Sequence, residues 1–443
     1  MTEKKKTAAL LSLGCAKNLV DSEVMLGFLR RNGFRITPRM DEADVLIVNT
    51  CGFIRPARKE AEAAIRRALR LKRKLPGLRV IVTGCYVQRS PQKLKAAFPA
   101  VDAWLGVADF DRIHQAAAGR VLSPSPETFL YSHLSPRLIS TPAGWAYLKI
   151  SEGCSHRCSF CSIPAIKGPY RSRSMDSILQ EARRLAAQGA KEINLISQDS
   201  TSYGGDLGLR HGLARLLDRL EAVNGLRWVR VLYGYPEKVS GALLEAMKGP
   251  KVCRYLDLPF QHAAPAIIKA MGRGLDGDKA LKLLDRVRRA LPQVALRTSL
   301  IVGFPGEGRK EFNELRSFVR RARFDHLGIF TYSAEEGLPS SRLGDPVSEA
   351  DKARRREELM FIQQEMSLHN NRKYLGQRLE VLLDKSVPGR PQLAVGRTRF
   401  QAPEVDGLVR VSSSASLRGR LQTVCQVEIR RAGVYDLHGR LAA

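Results

Sequence analysis

No apolar run in the 443-residue sequence approaches the ~18 residues needed to cross a bilayer. Stretches such as Val45–Val48 and Val80–Val82 are broken by polar residues far short of that length, so no membrane association is expected. Internal repeats and low-complexity segments are missing as well. Hydrophobic content of 44% and charged content of 26% exclude a disordered, collagenous or small disulfide-stapled chain. The length leaves room for about three domains of ~150 residues.

Acidic residues are in short supply. Asp plus Glu is 44 against 73 Lys plus Arg, a formal net charge of +29. Such a chain is drawn to polyanions, RNA or a ribonucleoprotein among them; the alternative is a host whose proteins are Arg-rich throughout. The excess is spread, with Arg66, Arg67, Arg70, Lys72, Arg73 and Lys74 on one stretch and Arg354–Arg356 on another, so it indicates a class of partner and not a site. Lys4, Lys5 and Lys6 followed by Thr-Ala-Ala-Leu-Leu-Ser-Leu-Gly-Cys superficially resemble a lipoprotein signal ending at Cys15. The apolar part is barely long enough, and Ser12 stands where that cleavage motif prefers Leu. A buried first strand and a cytoplasmic protein are expected instead.

Three strand-like runs, Ala8–Leu13, Val45–Asn49 and Val80–Thr83, alternate with helical periodicity at Leu19–Leu29 and Ala57–Leu71. Strand alternating with helix predicts a doubly wound parallel sheet. Pro124, Pro126, Pro136 and Pro142 among serines mark a linker. The alternation resumes with strand candidates Ala146–Ile150, Ile193–Ile196, Trp228–Leu232, Tyr255–Leu258, Ala295–Val302 and Leu327–Phe330. Between them lie helices such as Ser177–Ala187, Ala280–Ala290 and Glu311–Ala322. Six such units predict a partial (β/α)6 barrel working at its strand C-termini. A charged helix over Ser348–Tyr374 bridges to a last segment of short strands such as Leu379–Leu383 and Thr423–Ile429, the pattern of a small β-barrel. The chain is thus read as an α/β multidomain protein, with boundaries at 1–125, a 126–143 linker, 144–374 and 375–443.

Eight cysteines carry the chemistry. In a cytosolic chain of this size, clustered thiols point to metal or catalysis more than to disulfides. Cys154, Cys158 and Cys161 lie on one loop, at spacings that can wrap a cubane iron–sulfur cluster. With three ligands instead of four, one iron stays open for an exogenous ligand. Structural zinc is the competing reading, but it prefers paired knuckles or a fourth ligand, and His156 lies inside the loop as a solvated residue. Cys15, Cys51 and Cys85 each come immediately after one of the three N-terminal strands. In a parallel sheet those ends lie side by side, at the crevice where such folds bind ligands. Gly14 and Gly84 allow close backbone approach there. A second three-cysteine cluster is the sharper reading, and three inert buried thiols the plainer one. Cys253 and Cys425 have no partners by spacing and read as small buried hydrophobes.

The Cys-x3-Cys-x2-Cys loop after the first strand of a partial barrel, with Phe160 before its last cysteine, resembles the radical S-adenosylmethionine superfamily. With the three upstream cysteines and the terminal barrel, nearly the whole chain is similar to the methylthiotransferases, the last segment resembling their TRAM domain. Ser12–Gly27 (SLGCAKNLVDSEVMLG) and Gly396–Gly407 (GRTRFQAPEVDG) resemble the RimO branch, which modifies an aspartate of the twelfth small-subunit ribosomal protein. ISQDSTSYG from Ile196, LDLPFQHA from Leu256 and IVGFPGE from Ile301 also match. Ala16 stands where proline is common, and Gly337-Leu338-Pro339-Ser340-Ser341 departs from a usual Gly-Thr-x-Ala pattern; both lie beside ligands or substrate and not on them, so the resemblance carries the chemistry further than the substrate geometry.

The resemblance implies two 4Fe–4S clusters, on Cys154, Cys158 and Cys161 and on Cys15, Cys51 and Cys85, with S-adenosylmethionine as both radical source and methyl donor. A 5′-deoxyadenosyl radical would take a hydrogen from the aspartate β-carbon, and the second cluster would carry the sulfur to be inserted. Gln198 and Asp199, Gln261 and His262, and Gly303 are candidate contacts for S-adenosylmethionine, with turn or loop stabilisation as the alternative for the first four. Implied partners are the small-subunit ribosomal protein or the assembled small subunit, ribosomal RNA on the basic surface, and a reductant such as flavodoxin or ferredoxin. A tRNA adenosine methylthiotransferase is the nearest rival; a non-enzymatic iron–sulfur RNA-binding redox sensor is a more distant one.

Overall fold

Val45, Leu46, Ile47 and Val48 are all buried, as an apolar run must be in a parallel strand covered on both faces. They belong to a five-stranded parallel sheet in the computed structural model, which describes residues 5–122 and 129–442. Its strands are β1 (Thr7–Ser12), β2 (Arg35–Ile36), β3 (Val45–Thr50), β4 (Arg79–Gly84) and β5 (Ala103–Leu105), in the order β2-β1-β3-β4-β5. The three expected strands are present; β2 and β5, of two and three residues, are too short to leave a periodicity. The helix Arg55–Lys74 presses Ala61, Ile65 and Ala68 onto Leu46, Val48, Val80 and Val82. Its remaining faces carry the basic run.

The chain forms two compact units. The first comprises residues up to Ser140 with Ser151–Arg157 and Cys161–Ile178; the second comprises Thr141–Ile150, Cys158–Phe160 and Leu179 onward. In the first, the helix Ala16–Arg31 buries polar residues, Asn18, Asp21, Ser22 and Glu23. The Glu23 carboxylate accepts from Arg137 at 2.6 and 2.8 Å and from the backbone and hydroxyl of Ser140, both at 2.7 Å. The proline-rich stretch is therefore docked on this unit around residues 136–140, while Pro124 and Pro126 lie outside the described residues. A short antiparallel pair, β7 (Ser151–Glu152) with β8 (Arg171–Ser172), also belongs here.

The second unit is built on six parallel strands: β6 (Trp145–Lys149), β9 (Glu192–Ile196), β10 (Trp228–Val231), β11 (Val252–Asp257), β12 (Ala295–Val302) and β13 (His326–Thr331), ordered β13-β12-β11-β10-β9-β6. This is the expected partial barrel, each strand within three residues of its predicted bounds. The helices Gly212–Glu221, Gly241–Ala246 and Pro265–Ala270 complete the crossovers. The charged helix spans Glu349–Arg372, with Ser348 Oγ accepting from the Asp351 amide at 3.1 Å as its N-cap. Gln363 donates to the Phe324 carbonyl at 2.8 Å, and Asn371 to the Gly433 carbonyl at 3.1 Å, so the helix joins the parallel sheet to the C-terminal segment.

That C-terminal segment is a closed barrel of β14 (Arg378–Val387), β15 (Arg390–Thr398), β16 (Val409–Ser412), β17 (Val424–Ala432) and β18 (Leu437–Leu441) around Val381, Leu383, Val411, Val427 and Ile429. The Gly396–Gly407 stretch at the end of β15 reaches the parallel sheet from the side where its strands begin. Arg397 donates to Glu192 at 2.7 Å and to Asp384 at 2.9 Å, and Arg230 donates to the other oxygen of Glu192 at 2.9 Å. Tyr147 donates to Glu404 at 2.9 Å and Tyr255 to Asp406 at 2.7 Å. Arg297 pairs with Asp257 at 2.9 Å. Burial alone would raise the Glu192 carboxyl; the two guanidiniums outweigh it and hold the group below the usual range.

Removing one member of a buried, hydrogen-bonded ion set strands the others without solvent. Glu192→Ala is expected to cost about 3–5 kcal/mol in denaturant unfolding, whereas Arg227→Ala, at the exposed Arg227–Glu380 pair, costs no more than about 1 kcal/mol. Equal losses would show that the buried set contributes nothing beyond a surface pair.

Candidate active site

The strand order reverses between β1 and β3, and in open parallel sheets ligands bind at that point, outside the strand C-termini. Leu13 donates to the Asn49 carbonyl at 3.0 Å, so the two chains leave the sheet together. Gly14 has φ +93°, and a Cβ there would stand 2.7 Å from Cys51 Cβ and 3.1 Å from its sulfur. The Cys51 side chain therefore lies directly on Gly14, next to Cys15. Gly84, at φ +100°, would meet Asn49 Oδ1 at 2.3 Å and the Thr50 carbonyl at 2.5 Å if it carried a Cβ. No L-residue fits either position without moving the neighbouring strand end.

The three strand-end cysteines are thus brought together. Cys15 is exposed and stands directly before the helix Ala16–Arg31; Cys51 is half-buried; Cys85 opens the short helix Cys85–Arg89. Burial pushes the Cys51 thiol up, and a charge on Cys15 adds to it. Burial pushes Cys85 up to about 12, Lys167 pulls it back, and Cys15 and Cys51 push it further. The sulfurs are close enough to feel one another's charge, the arrangement expected of a shared soft-metal site and a costly one for three thiolates without a cation. Among the described residues no three His, Cys, Asp or Glu side chains are already drawn into a ligating array. The convergence is one of backbone, and the thiol donor set suits an iron–sulfur cluster.

The second cysteine loop carries Cys154, Cys158 and Cys161. In the first unit, the Cys154 amide donates to the Gly168 carbonyl at 3.1 Å, and a Cβ on Gly153 would strike the Pro169 carbonyl oxygen at 2.1 Å. Cys161 is followed by the helix Ile163–Lys167, which packs on the Cys85–Arg89 helix. In the second unit, Ser159 donates its amide to the Met271 carbonyl at 3.0 Å and its hydroxyl to that of Ala270 at 2.8 Å. Phe160 packs against the cluster of Phe304, Tyr332 and Met271. Burial pushes the Cys158 thiol up; Arg273, with Nη1 4.0 Å from the sulfur, opposes it. The Arg273 guanidinium stacks 4.0 Å over the Tyr235 ring and donates to the Pro259 carbonyl at 3.0 Å. His156 is half-buried.

The other candidates occupy strand ends in the second unit. Asp199 caps the turn Ser200–Ser202, accepting from the Ser202 amide at 3.2 Å and the Thr201 hydroxyl at 2.5 Å; the neighbouring Gln198 is half-buried. Gln261, at φ +72°, bridges to β12 through its backbone, donating to Ser299 at 3.0 Å and accepting from Ile301 at 2.7 Å. His262 is fully buried: Nδ1 accepts from the Ala264 amide at 3.1 Å, so the proton sits on Nε2 and goes to Glu307 at 3.0 Å. The Gly303 amide donates to the same carboxylate at 3.1 Å, and Arg355 pairs with its other oxygen. A Cβ at Gly303 would lie 2.3 Å from Lys352 Cγ. His262 and Gly303 therefore converge on Glu307, a residue inside the matched IVGFPGE stretch whose role its sequence context does not reveal. Cys253 and Cys425 are buried, the first in β11 and the second in the terminal barrel's core.

Arg273 and Lys167, which act electrostatically on Cys158 and Cys85, are not singled out by sequence reasoning. Nothing in the spacing around Arg273 marks it. Lys167 carries a faint signal, as a lone cation in Ile163-Pro164-Ala165-Ile166-Lys167, directly after the last cysteine of the loop.

Residues 7–106 match an uncharacterized protein family, UPF0004, residues 148–319 match the radical SAM superfamily, and residues 375–442 match the TRAM domain. The chain is 42% identical, over 99% of its length and 98% of the relative's, to the ribosomal protein uS12 methylthiotransferase RimO of Pelobacter propionicus. It is 43% identical to those of Desulforamulus reducens, over 98% of this chain and 99% of that one, and Aquifex aeolicus, over 97% and 96%. In fold it is similar to TsrM, a radical S-adenosylmethionine methyltransferase of Kitasatospora setae, with a TM-score of 0.55, 16% identity, and coverage of 76% of this chain and 77% of that one. With such identity running through all of its matched segments, the chain belongs to the radical S-adenosylmethionine methylthiotransferases of the RimO family.

Proposed function

We propose that the protein adds a methylthio group to the β-carbon of an aspartate in ribosomal protein uS12, with 4Fe–4S clusters at Cys154, Cys158 and Cys161 and at Cys15, Cys51 and Cys85. The observation that carries this reading is the meeting of three sequence-remote cysteines at one sheet edge, in a chain whose relatives bear that activity in their names. When bound, the first cluster with S-adenosylmethionine supplies the radical and a second S-adenosylmethionine the methyl group, while the strand-end cluster supplies an iron for the inserted sulfur.

The chain's own residues orient and insulate. Arg273 sets positive charge beside Cys158, favouring its thiolate against burial. The Ser159 hydrogen bonds fix the middle of the loop, and Phe160 covers it from the apolar side. The Glu307 hub locks His262 and Gly303, two residues proposed to approach the cofactor, into one rigid strand-end group. Gln198 and Asp199 follow β9 and Gln261 follows β11, two strands with β10 between them, on the face where barrel enzymes bind substrate. The same reading makes the enzyme a cytoplasmic one that draws electrons from a flavodoxin- or ferredoxin-type donor.

Ribosomal RNA is the natural polyanion near such a substrate. The helix Arg55–Lys74 exposes Arg55, Lys59, Arg66, Arg67, Arg70, Arg73 and Lys74, a row of cations opposite its buried Ala61, Ile65 and Ala68. That face supports an RNA contact.

Three outcomes test the proposal. Reduced, reconstituted enzyme with S-adenosylmethionine and sulfide, offered unmodified small ribosomal subunits and unmodified tRNA separately, should yield by mass spectrometry a methylthio group on an aspartate peptide of uS12. A modified adenosine would move the enzyme to the tRNA branch. Cys85→Ala should abolish thiolation and leave S-adenosylmethionine cleavage largely intact; equal loss of both activities would contradict separate roles for the two cysteine sets. Replacing Arg66, Arg67, Arg70 and Arg73 with Gln should flatten the salt dependence of RNA binding, each lost phosphate contact taking about 0.7–0.9 off the log–log slope. An unchanged slope would remove this helix from the RNA surface.

A further inference from the structure

The helix Ile163–Lys167 starts two residues after Cys161 and packs on the helix that Cys85 opens. Its last residue, Lys167, is only 3% exposed. The ammonium stands 2.9 Å from Asp21 Oδ2 and 3.6 Å from Glu152 Oε1, and 5.4 Å from the Phe110 ring centre. Asp21 lies on the helix that follows Cys15, and Glu152 precedes Cys154 by two residues. One buried cation thus touches the segments that carry Cys15 and Cys154 and sits on the helix packed against that of Cys85. Burial works against its charge, but the two carboxylates more than restore it, so the group stays protonated. A packing role alone would be served by an uncharged side chain without the desolvation cost.

We propose that Lys167 is a positioning residue, which ties the segment bearing Cys154 and Cys161 to the strand-end cysteines and holds a fixed positive charge beside them. The inference rests on the reading that Cys15, Cys51 and Cys85 hold an iron–sulfur cluster. Three thiolates around such a cluster concentrate negative charge, and the potential of the centre follows the net charge of its surroundings. A cation kept out of water beside it makes reduction easier, and the carboxylate of Asp21 works in the opposite sense.

The test isolates that centre in full-length protein carrying Cys154→Ala, Cys158→Ala and Cys161→Ala, reconstituted anaerobically. Iron per chain is measured first, then the midpoint potential by a redox titration followed by electron paramagnetic resonance. Lys167→Met should shift the midpoint to more negative values, Asp21→Asn to less negative ones, and Lys167→Arg should leave it near the parent value. A role in packing alone predicts no such opposition of sign, so shifts in one common direction, or none, would overturn the proposal. If Lys167→Met fails to fold or to load iron, Asp21→Asn and Lys167→Arg decide: an upward shift in the first with the parent value in the second supports the proposal, and any other pair of results overturns it. A parent that binds no iron would overturn the two-cluster reading and this inference with it.

Discussion

Parallel strands all end on the same side of their sheet, and this geometric constraint is what brings together cysteines far apart in sequence. Cys15, Cys51 and Cys85 each stand directly beyond a strand, and the sheet order β2-β1-β3-β4-β5 makes those strands neighbours. Nothing else need be specified for the three to meet, except that the backbones approach closely. Gly14 and Gly84 provide that approach, one against the Cys51 side chain and the other against Asn49 and Thr50. The cost is three thiols sharing a partly buried corner, each raising the cost of charging the next. Such a corner is tolerable when a metal centre or a cation is at hand.

In the second unit the opposite end of a parallel sheet is closed by charge. The Gly396–Gly407 stretch brings Arg397, Glu404 and Asp406 to side chains of the six strands, and the Glu192 carboxylate is held between Arg397 and Arg230. Buried ion sets of this kind contribute less to stability than their distances suggest, because each charge has first lost its water. They discriminate strongly, however, against any docking that leaves one member alone. The Gly396–Gly407 segment is therefore a packing element that closes the strand-start side of the sheet. The strand C-termini, where chemistry is expected, are left to loops.

Much of this organisation is legible in the residues alone. The long parallel strands announce themselves as Val-, Ile- and Leu-rich runs, since strands covered on both faces are apolar throughout. The cysteine loop and the strand-end cysteines can be read from spacing and from their place after each run. The shortest strands, β2 and β5, leave no pattern because their pairing is enforced by neighbours and not by their own residues. Nor does the proline-rich stretch betray that residues 136–140 dock on Glu23, an acidic residue in a helix whose inner face is unusually polar.

The sequence by itself determined the alternation of strands and helices, the two sets of three cysteines and the basic character of the Arg55–Lys74 helix, because each is local and depends only on residue type and period. Only the tertiary structure decided which charges are paired out of water: Lys167 with Asp21 and Glu152, Glu192 with Arg230 and Arg397, His262 and Gly303 with Glu307. Those partners are separated by up to 205 residues. A charged side chain looks the same in sequence whether it faces water or a carboxylate, and the energy that distinguishes the two cases arises only once solvent has been excluded.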